Sequence, residues 1–358
     1  MSGERRIRVL LVDDSAVMRS LLRMVLDAKS SIEIAGAAAS GPEGLAEFER
    51  LRPDLVVLDI EMPGMNGLDV LSGIRQRDRR VPVIMCSTLT ERGARVTLDA
   101  LTRGATDYVT KPGAQKSFRE GVETLGRELL PKITALFPAQ SVVATAPRPV
   151  AATARMAAGP PRVVVIGVST GGPAALEVLL PKFPASFPLP ILIVQHMPQL
   201  FTALLAERLN GLCRMRVREA AAGVRPEPGV VEIARGDWHL ELGRDFRLGL
   251  NQNEPENFCR PAADALFRSA ALATAGRLLG VVLTGMGSDG LAGSRAIREA
   301  GGAVIVQDPA TSVIWGMPGA VANAGLAQKI LPLDAIVGEI QRCAAAPVRA
   351  GRMDGVAV

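Results

Sequence analysis

Short runs of β-branched and aliphatic residues alternate with segments of helical spacing along most of this 358-residue chain. In the first half, strand-like runs occupy residues 8–12, 32–37, 55–58, 83–86 and 108–109. Helices are predicted between and after them, at residues 16–27, 42–50, 67–75, 92–103 and 115–137. Because strands joined through helices run parallel in one sheet, the pattern predicts a (βα)5 domain with helices on both faces of the sheet.

Residues 138–161 interrupt this alternation. The segment contains eight Ala and five Pro, with no acidic and no aromatic residue, so it predicts an interdomain linker that cannot bury a core. Strands then resume at 163–166, 191–194, 281–283 and 303–306, with helices at 173–180, 201–209, 261–275 and 291–300. Short alternating pieces predict an antiparallel excursion within 217–250. The fold-class prediction is therefore two doubly wound α/β domains, the second with a mostly parallel sheet.

The composition excludes several classes of protein. Apolar residues make up 48% and charged residues 22%, which is ordinary globular usage. The four cysteines form no CxxC pair, which argues against a zinc ribbon and a disulfide framework. The net charge is +5, but no nucleic-acid-reading module is recognisable, so no nucleic acid partner is expected. The uncharged stretches at 183–206 and 309–328 contain several prolines, so we expect a cytoplasmic protein without direct membrane insertion.

Polar residues follow the strands of the first half at their carboxyl ends. Asp13 and Asp14 follow the first strand, Asp59 the third, Ser87 the fourth, and Lys111 comes shortly after the fifth. Because the carboxyl ends of parallel strands meet at one sheet edge, these side chains should lie together. Clustered carboxylates favour a hard cation such as Mg²⁺, and one of them could act as a nucleophile toward phosphorus. Each acid taken alone could instead cap the next helix.

The segments LLVDDSAVMR, VVLDIEMPGMNGLDVL, PVIMCS and YVTKP resemble a response-regulator receiver domain over about residues 5–125. The resemblance implies that Asp59 accepts a phosphoryl group, that Lys111 pairs with this group, and that Ser87 and Tyr108 form a switch pair. The Mg²⁺ ligands that it implies are Asp13, Asp14, Asp59 and the backbone carbonyl of Glu61.

The second half contains a possible nucleophile, base and orienting acid. Ser169 lies in GVSTGG after one predicted strand, His196 follows the next strand, and Asp289 lies in GMGSDG after a third. A serine hydroxyl needs a base to take its proton, and a carboxylate can orient a histidine for that task. Alternatively, Ser169 could bind a phosphate, His196 could be a packed polar residue, and Asp289 could cap a helix. The order Ser, His, Asp argues against an α/β-hydrolase fold.

The segments VVVIGVSTGGPAAL, IVQHMP, IARGDWHLEL, RPAADALFRS, VVLTGMGSDGLAG and QDPATSVIWGMPGAV resemble the catalytic domain of the CheB methylesterases of chemotaxis. The resemblance implies hydrolysis of glutamyl methyl esters, and deamidation of glutamines, on the cytoplasmic helices of methylated chemoreceptors, with no cofactor for hydrolysis. Ser169 would be the nucleophile, His196 the general acid–base and Asp289 the orienting carboxylate. Thr170 would support His196, and a backbone N–H near Met286 would help to hold the oxyanion.

Both resemblances together predict a receiver domain at residues 1–131, a linker at 132–161, a methylesterase domain at 162–348 and a flexible tail at 349–358. They imply that the unphosphorylated receiver covers the esterase cleft, and that a chemotaxis sensor histidine kinase relieves this by phosphorylating Asp59. Two alternatives stay open: a phospho-dependent binding module, and a general serine esterase fused to a receiver. Cys259 and Arg235 stand where the family often has His and Pro, which leaves the substrate fit open.

Overall fold

The structure, a computed structural model, describes residues 5–113, 117–138 and 159–345. Most of the predicted linker, at 139–158, and the whole predicted tail, at 349–358, lie outside these ranges. The domain boundaries at residues 131, 161 and 348 therefore remain predictions. None of the helices in the described ranges combines the length and the apolar character needed to cross a membrane.

A five-stranded parallel sheet forms the N-terminal half, in the order β2-β1-β3-β4-β5. This confirms the sequence prediction for this half, since each predicted strand and helix is present with shifted ends. The strands are β1 (Ile7–Val12), β2 (Ile32–Ala38), β3 (Leu55–Asp59), β4 (Val83–Ser87) and β5 (Asp107–Thr110). The helices are α1 (Ala16–Asp27), α2 (Gly41–Leu51), α3 (Gly67–Arg77), α4 (Glu91–Thr102) and α5 (Phe118–Leu136).

Helix α1 shows how the sequence produces these elements. Ser15 stands at its N-cap, where the hydroxyl accepts a hydrogen bond from the Met18 N–H at 3.3 Å. Met18, Leu22 and Leu26 recur at a spacing of four residues and are buried in one cluster with Val9 of β1. Full burial of each leucine contributes about 1.5–3 kcal/mol, so this face fixes the helix on the sheet. Asp13 and Asp14 are thereby held in the turn between β1 and α1.

A seven-stranded sheet, parallel at every pairing, forms the C-terminal half in the order β14-β13-β12-β6-β7-β9-β8. Its strands are β6 (Val163–Val168), β7 (Ile191–Gln195), β8 (Arg216–Glu219), β9 (Val230–Ile233), β12 (Leu278–Val282), β13 (Ala303–Gln307) and β14 (Lys329–Leu331). The helices are α6 (Gly172–Leu179), α7 (Gln199–Leu212), α8 (Ala263–Thr274), α9 (Leu291–Glu299), α10 (Met317–Asn323) and α11 (Leu333–Ala344). The predictions did not include β14, α10 or α11.

The region 217–250 follows the prediction only in part. The strands β10 (His239–Leu242) and β11 (Leu248–Asn251) form an antiparallel hairpin, as expected. The antiparallel prediction is wrong for β8 and β9, which join the main sheet in parallel. The sequence did not indicate this pairing because both strands contain a charged residue. Arg218 of β8 and the fully buried Glu232 of β9 form an ion pair with a nitrogen–oxygen distance of 2.6 Å. These charges interrupt the apolar runs by which buried parallel strands are recognised.

Candidate active site

Three neighbouring strands of the seven-stranded sheet carry Ser169, His196 and Asp289 to one edge, as the sequence predicts. Ser169 directly follows β6, His196 directly follows β7, and Asp289 lies in the loop after β12. Because β6 lies between β7 and β12, the carboxyl ends of the three strands are adjacent. The Nε2 atom of His196 lies 2.7 Å from Oδ2 of Asp289, which is a short, charge-assisted hydrogen bond.

Backbone contacts fix the turn that presents Ser169. Its N–H donates to the carbonyl of Thr284 at 3.0 Å, and its carbonyl accepts from Nε2 of Gln195 at 3.0 Å. Gly285 passes so close that an added Cβ would lie 2.9 Å from Cβ of Ser169, which only glycine avoids. The neighbouring strand ends therefore determine where the serine side chain starts.

Asp289 is buried and accepts hydrogen bonds from the start of a distant helix. The N–H groups of Ala263 and Asp264, in the first turn of α8, donate to its two oxygens at 2.6 and 3.0 Å. Helix α8 has no side-chain cap of its own, so this carboxylate supplies one. Burial alone would raise the pKa of Asp289, but the hydrogen bond and charge of His196, together with these N–H donors, lower it. The alternative that Asp289 caps α9 is wrong, because the N-cap of α9 is Gly290, without a side-chain cap.

His196 has a different partner at each ring nitrogen. A carboxylate only accepts hydrogen bonds, so Nε2 carries the proton toward Asp289, while Nδ1 lies 3.6 Å from Sγ of Cys259. Burial disfavours the imidazolium, but the hydrogen bonds and charges of Asp289 and Cys259 outweigh it and raise the pKa of His196. Within the described ranges, no hydrogen bond joins the Ser169 hydroxyl to His196, and such bonds often tighten only when substrate binds.

The sequence analysis missed a loop that contacts two of these residues. Nδ2 of Asn257 donates to Oδ1 of Asp289 at 3.1 Å and to Oδ2 of the buried Asp264 at 3.0 Å. The same loop contains Cys259, which the sequence marked only as a departure from the family. The one available signal was the RPAADALF segment just after this loop, and it does not indicate a contact with the loop after β12.

Thr170 and Met286 lie in the same chain segments as two of the catalytic candidates. Thr170 directly follows Ser169, and Met286 lies in the loop that carries Asp289. Their roles in supporting His196 and holding the oxyanion stay predictions.

A second charged cluster lies at the carboxyl edge of the five-stranded sheet. Nζ of Lys111 lies 2.7 Å from Oδ1 of Asp59 and 3.2 Å from Oδ2 of Asp13. Both carboxylates are 1% exposed, and Oδ2 of Asp59 has no hydrogen-bond partner within the described ranges. Burial raises the pKa of Asp59 to about 6, although the hydrogen bond and charge of Lys111 lower it. Three of the side chains that the sequence grouped here, those of Asp13, Asp59 and Lys111, are therefore in contact, and Asp59 carries an unsatisfied oxygen.

This cluster also fits a divalent cation. Asp13, Asp14 and Asp59 each offer a carboxylate oxygen, and these atoms all lie within 4.8 Å of one another. Hard cations such as Mg²⁺ prefer oxygen ligands of this kind. The N–H of Glu61 donates to Oδ1 of Asp59 at 3.2 Å, which places this residue beside the cluster. Its carbonyl as a further ligand stays a prediction.

The predicted switch residues occupy neighbouring strands. Ser87 ends β4 and Tyr108 lies in β5, two register positions earlier. The Ser87 hydroxyl accepts a hydrogen bond from Oγ1 of Thr97 at 2.6 Å and approaches the carbonyl of Gly93 at 3.3 Å, both in α4. To reach a phosphoryl group on Asp59, this hydroxyl would have to leave α4.

Both halves of the chain are similar to known proteins. Residues 164–340 match the family model described as CheB methylesterase, and residues 9–123 match the response regulator receiver domain. A Trichodesmium erythraeum protein named protein-glutamate methylesterase/protein-glutamine glutaminase is 49% identical over 348 residues, covering 94% of this chain and 99% of that protein. A Nocardioides sp. protein of the same name is 49% identical over 351 residues, covering 94% and 95%. The crystal structure of the Thermotoga maritima CheB methylesterase catalytic domain aligns with a TM-score of 0.50 and 40% identity, covering 51% of this chain and 98% of that one.

Proposed function

The chain belongs to the CheB methylesterase family, and from this membership we propose that it is a phosphorylation-activated protein-glutamate methylesterase. Its substrates would be glutamyl methyl esters on chemoreceptor cytoplasmic helices, and it would also deamidate glutamines at such sites. The observation that carries the proposal is the 2.7 Å bond between His196 and Asp289 at the strand edge where Ser169 is presented. Hydrolysis needs no cofactor in this scheme.

The first half of the reaction uses Ser169 as the nucleophile. Its Oγ attacks the ester carbonyl carbon while His196 takes the hydroxyl proton. Because Nε2 of His196 is bound to Asp289, Nδ1 is the nitrogen left to accept this proton. The imidazolium that forms is stabilised by the buried Asp289 carboxylate. When the tetrahedral intermediate collapses, the C–O bond to the methoxy group breaks and Nδ1 returns the proton, so that methanol leaves.

The second half restores the enzyme with water. His196 takes a proton from a water molecule, whose oxygen attacks the acyl carbon. The bond to Oγ of Ser169 then breaks and the proton passes to that oxygen, which leaves a glutamate side chain. For a glutamine substrate the same steps release ammonia in place of methanol. A backbone N–H near Met286 would stabilise the oxyanion in both halves, and one such donor contributes about 3 kcal/mol.

Regulation would act through Asp59. A chemotaxis sensor histidine kinase would supply the phosphoryl group and Asp59 would accept it, a role supported by its buried position beside Lys111, whose Nζ lies 2.7 Å from Oδ1 of Asp59. Bound Mg²⁺ would neutralise the negative charge that gathers among the carboxylates and the phosphoryl oxygens. Asp13 and Asp14 would hold the ion, with Asp59 and the carbonyl of Glu61. It stays a prediction that the unphosphorylated receiver covers the esterase cleft and uncovers it on phosphorylation. The cytoplasmic location also stays a prediction.

The proposal is tested by methanol release from methyl-labelled chemoreceptor membranes. Wild type is compared with Ser169→Ala and Asp59→Asn, each with and without a small phosphodonor and Mg²⁺. We expect release by wild type that the donor increases, no release by Ser169→Ala, and release by Asp59→Asn that ignores the donor. If wild type releases methanol but the donor does not change the rate, the methylesterase activity is supported and its activation by phosphorylation is refuted.

Two other outcomes would support the alternative functions. No release from folded wild type, with a substrate validated by alkaline hydrolysis, would favour a phospho-dependent binding module. Rapid hydrolysis of small esters without activity on receptors would favour a general serine esterase. The complete Ser169, His196 and Asp289 set speaks against the first alternative, and the family membership speaks against the second.

A further inference from the structure

The loop before α8 ends in a tight turn with an unusual residue at its tip. Glu256 and Cys259 exchange two backbone hydrogen bonds, of 3.1 and 2.8 Å, which close a two-residue hairpin over Asn257 and Phe258. Both central residues have positive φ, 51° and 63°, the φ signature of a type I′ turn. Such a turn prefers Asn at its first central position and Gly at its second. Asn257 meets this preference, whereas Phe258 stands where glycine is favoured.

The ring at this strained position has no internal role to explain it. Phe258 is fully exposed, at 102% of its reference area, the highest value among the large hydrophobic side chains in the part of the chain that the structure describes. A single exposed apolar residue is ordinary on a protein surface. An aromatic residue that is held in a left-handed conformation and packs against no other side chain is unusual. Backbone strain of this kind concentrates at functional sites.

The loop around Phe258 is held rigidly from several sides. Nδ1 of the buried His239 accepts from the N–H of Ala262 at 3.2 Å, and its Nε2 donates to the carbonyl of Glu254 at 3.1 Å, so this ring joins both ends of the loop. Arg260 donates to Asp237 at 2.7 Å and to the carbonyls of Gln252 and Asn253. The side chains of Arg268 and Glu256 form a bidentate ion pair of 2.8 and 2.6 Å. The exposed ring is therefore carried on a fixed support.

The two neighbours of Phe258 in the chain both contact the catalytic residues. Asn257 donates to Asp289 at 3.1 Å, and Sγ of Cys259 lies 3.6 Å from Nδ1 of His196. The backbone of Phe258 is thus anchored on either side to the groups that would perform the chemistry. The ring is therefore carried on a turn that contacts two of the groups that would act on an ester carbonyl placed at Ser169.

We propose that Phe258 is a specificity-determining residue that contacts apolar side chains flanking the modified glutamate on a helical protein substrate. This inference rests on the proposed function. A methyl ester alone offers few atoms for recognition, so discrimination must come from the surface around it. An aromatic ring buries a large apolar area with little loss of side-chain freedom, which suits it for binding a neighbouring apolar residue of the substrate helix.

The decisive variant is Phe258→Gly, because glycine removes the ring and relieves the positive φ. Kinetics of methanol release from methyl-labelled receptor membranes are measured with phosphodonor and Mg²⁺ present, alongside thermal unfolding. We expect KM to rise about tenfold with kcat unchanged, and the unfolding midpoint to be equal to or higher than that of wild type. Phe258→Leu, which keeps an apolar side chain, should fall between wild type and Phe258→Gly.

The matched control is Leu272→Ala, which truncates another exposed apolar side chain of the same half, 68% exposed on α8. We expect this variant to leave KM unchanged. The inference is overturned if Phe258→Gly keeps the wild-type KM, if its effect falls on kcat alone, or if Leu272→Ala raises KM equally. If wild type itself releases no methanol from a validated substrate, the proposed function fails first and this inference falls with it.

Discussion

Replacing Asp59 with asparagine is expected to stabilise the N-terminal half at neutral pH. Burial, the largest effect, raises the pKa of Asp59 from 3.8 to about 6 in spite of the nearby Lys111 ammonium. The unfolded chain releases this proton more readily than the folded protein does. The folded state therefore loses stability as the pH rises from about 4 to about 6, and the loss is complete above that range. Asparagine carries no charge and avoids the loss.

The size of the effect follows from the pKa difference. About two pKa units at 1.36 kcal/mol each correspond to about 3 kcal/mol above pH 6, to about half of that at pH 5, and to none below about pH 4. The substitution also removes one of the two carboxylate charges that pair with Lys111, whose Nζ lies 2.7 Å from Asp59 and 3.2 Å from Asp13, and this loss offsets part of the gain. We therefore expect a net gain of about 1–3 kcal/mol at pH 7.5 for the metal-free protein.

Hydrogen exchange by mass spectrometry on the full chain measures this gain. The slowest amides of β1 and β3 report the opening free energy of the five-stranded sheet. Wild type and Asp59→Asn are compared at pH 5 and pH 7.5 with a chelator present, and Glu33→Gln, at an exposed acid on β2, is the control. The reasoning is refuted if Asp59→Asn is less stable than wild type at pH 7.5, or if its gain is the same at both pH values.

Three substitutions test the active site through methanol release. Cys259→Ala removes one of the groups that raise the pKa of His196, so this pKa should fall. Because His196 must be neutral to act as a base, the rate should then reach half its maximum at a lower pH than in wild type. An unchanged pH profile would contradict this. Gly285→Ala places a Cβ 2.9 Å from Cβ of Ser169 and should reduce kcat at least tenfold in a protein with unchanged circular dichroism; near wild-type turnover would refute the packing argument. Asn257→Ala removes one donor to the catalytic carboxylate and should lower kcat about tenfold; a wild-type kcat would contradict this contribution.

The sequence by itself determined the two parallel sheets and the side chains that meet at their edges. Apolar runs separated by helical segments can close only through crossover connections, and this makes the carboxyl ends of the strands neighbours. The cluster of Asp13, Asp59 and Lys111 could therefore be predicted without coordinates, and so could the bond between His196 and Asp289. Asp59 is the last residue of a buried strand, and each of the others comes shortly after one.

Only the tertiary structure decided which loops reach those edges from elsewhere in the chain. The contacts of Asn257 and Cys259 depend on the path of an irregular loop, and no periodicity encodes that path. Asp289 caps α8, which lies before it in the sequence, because the fold brings that helix start beside the loop after β12. The parallel pairing of β8 and β9 could not be predicted for a related reason. The sequence shows two charges where an apolar run is expected, and the buried Arg218–Glu232 pair is stable only once both strands are in place.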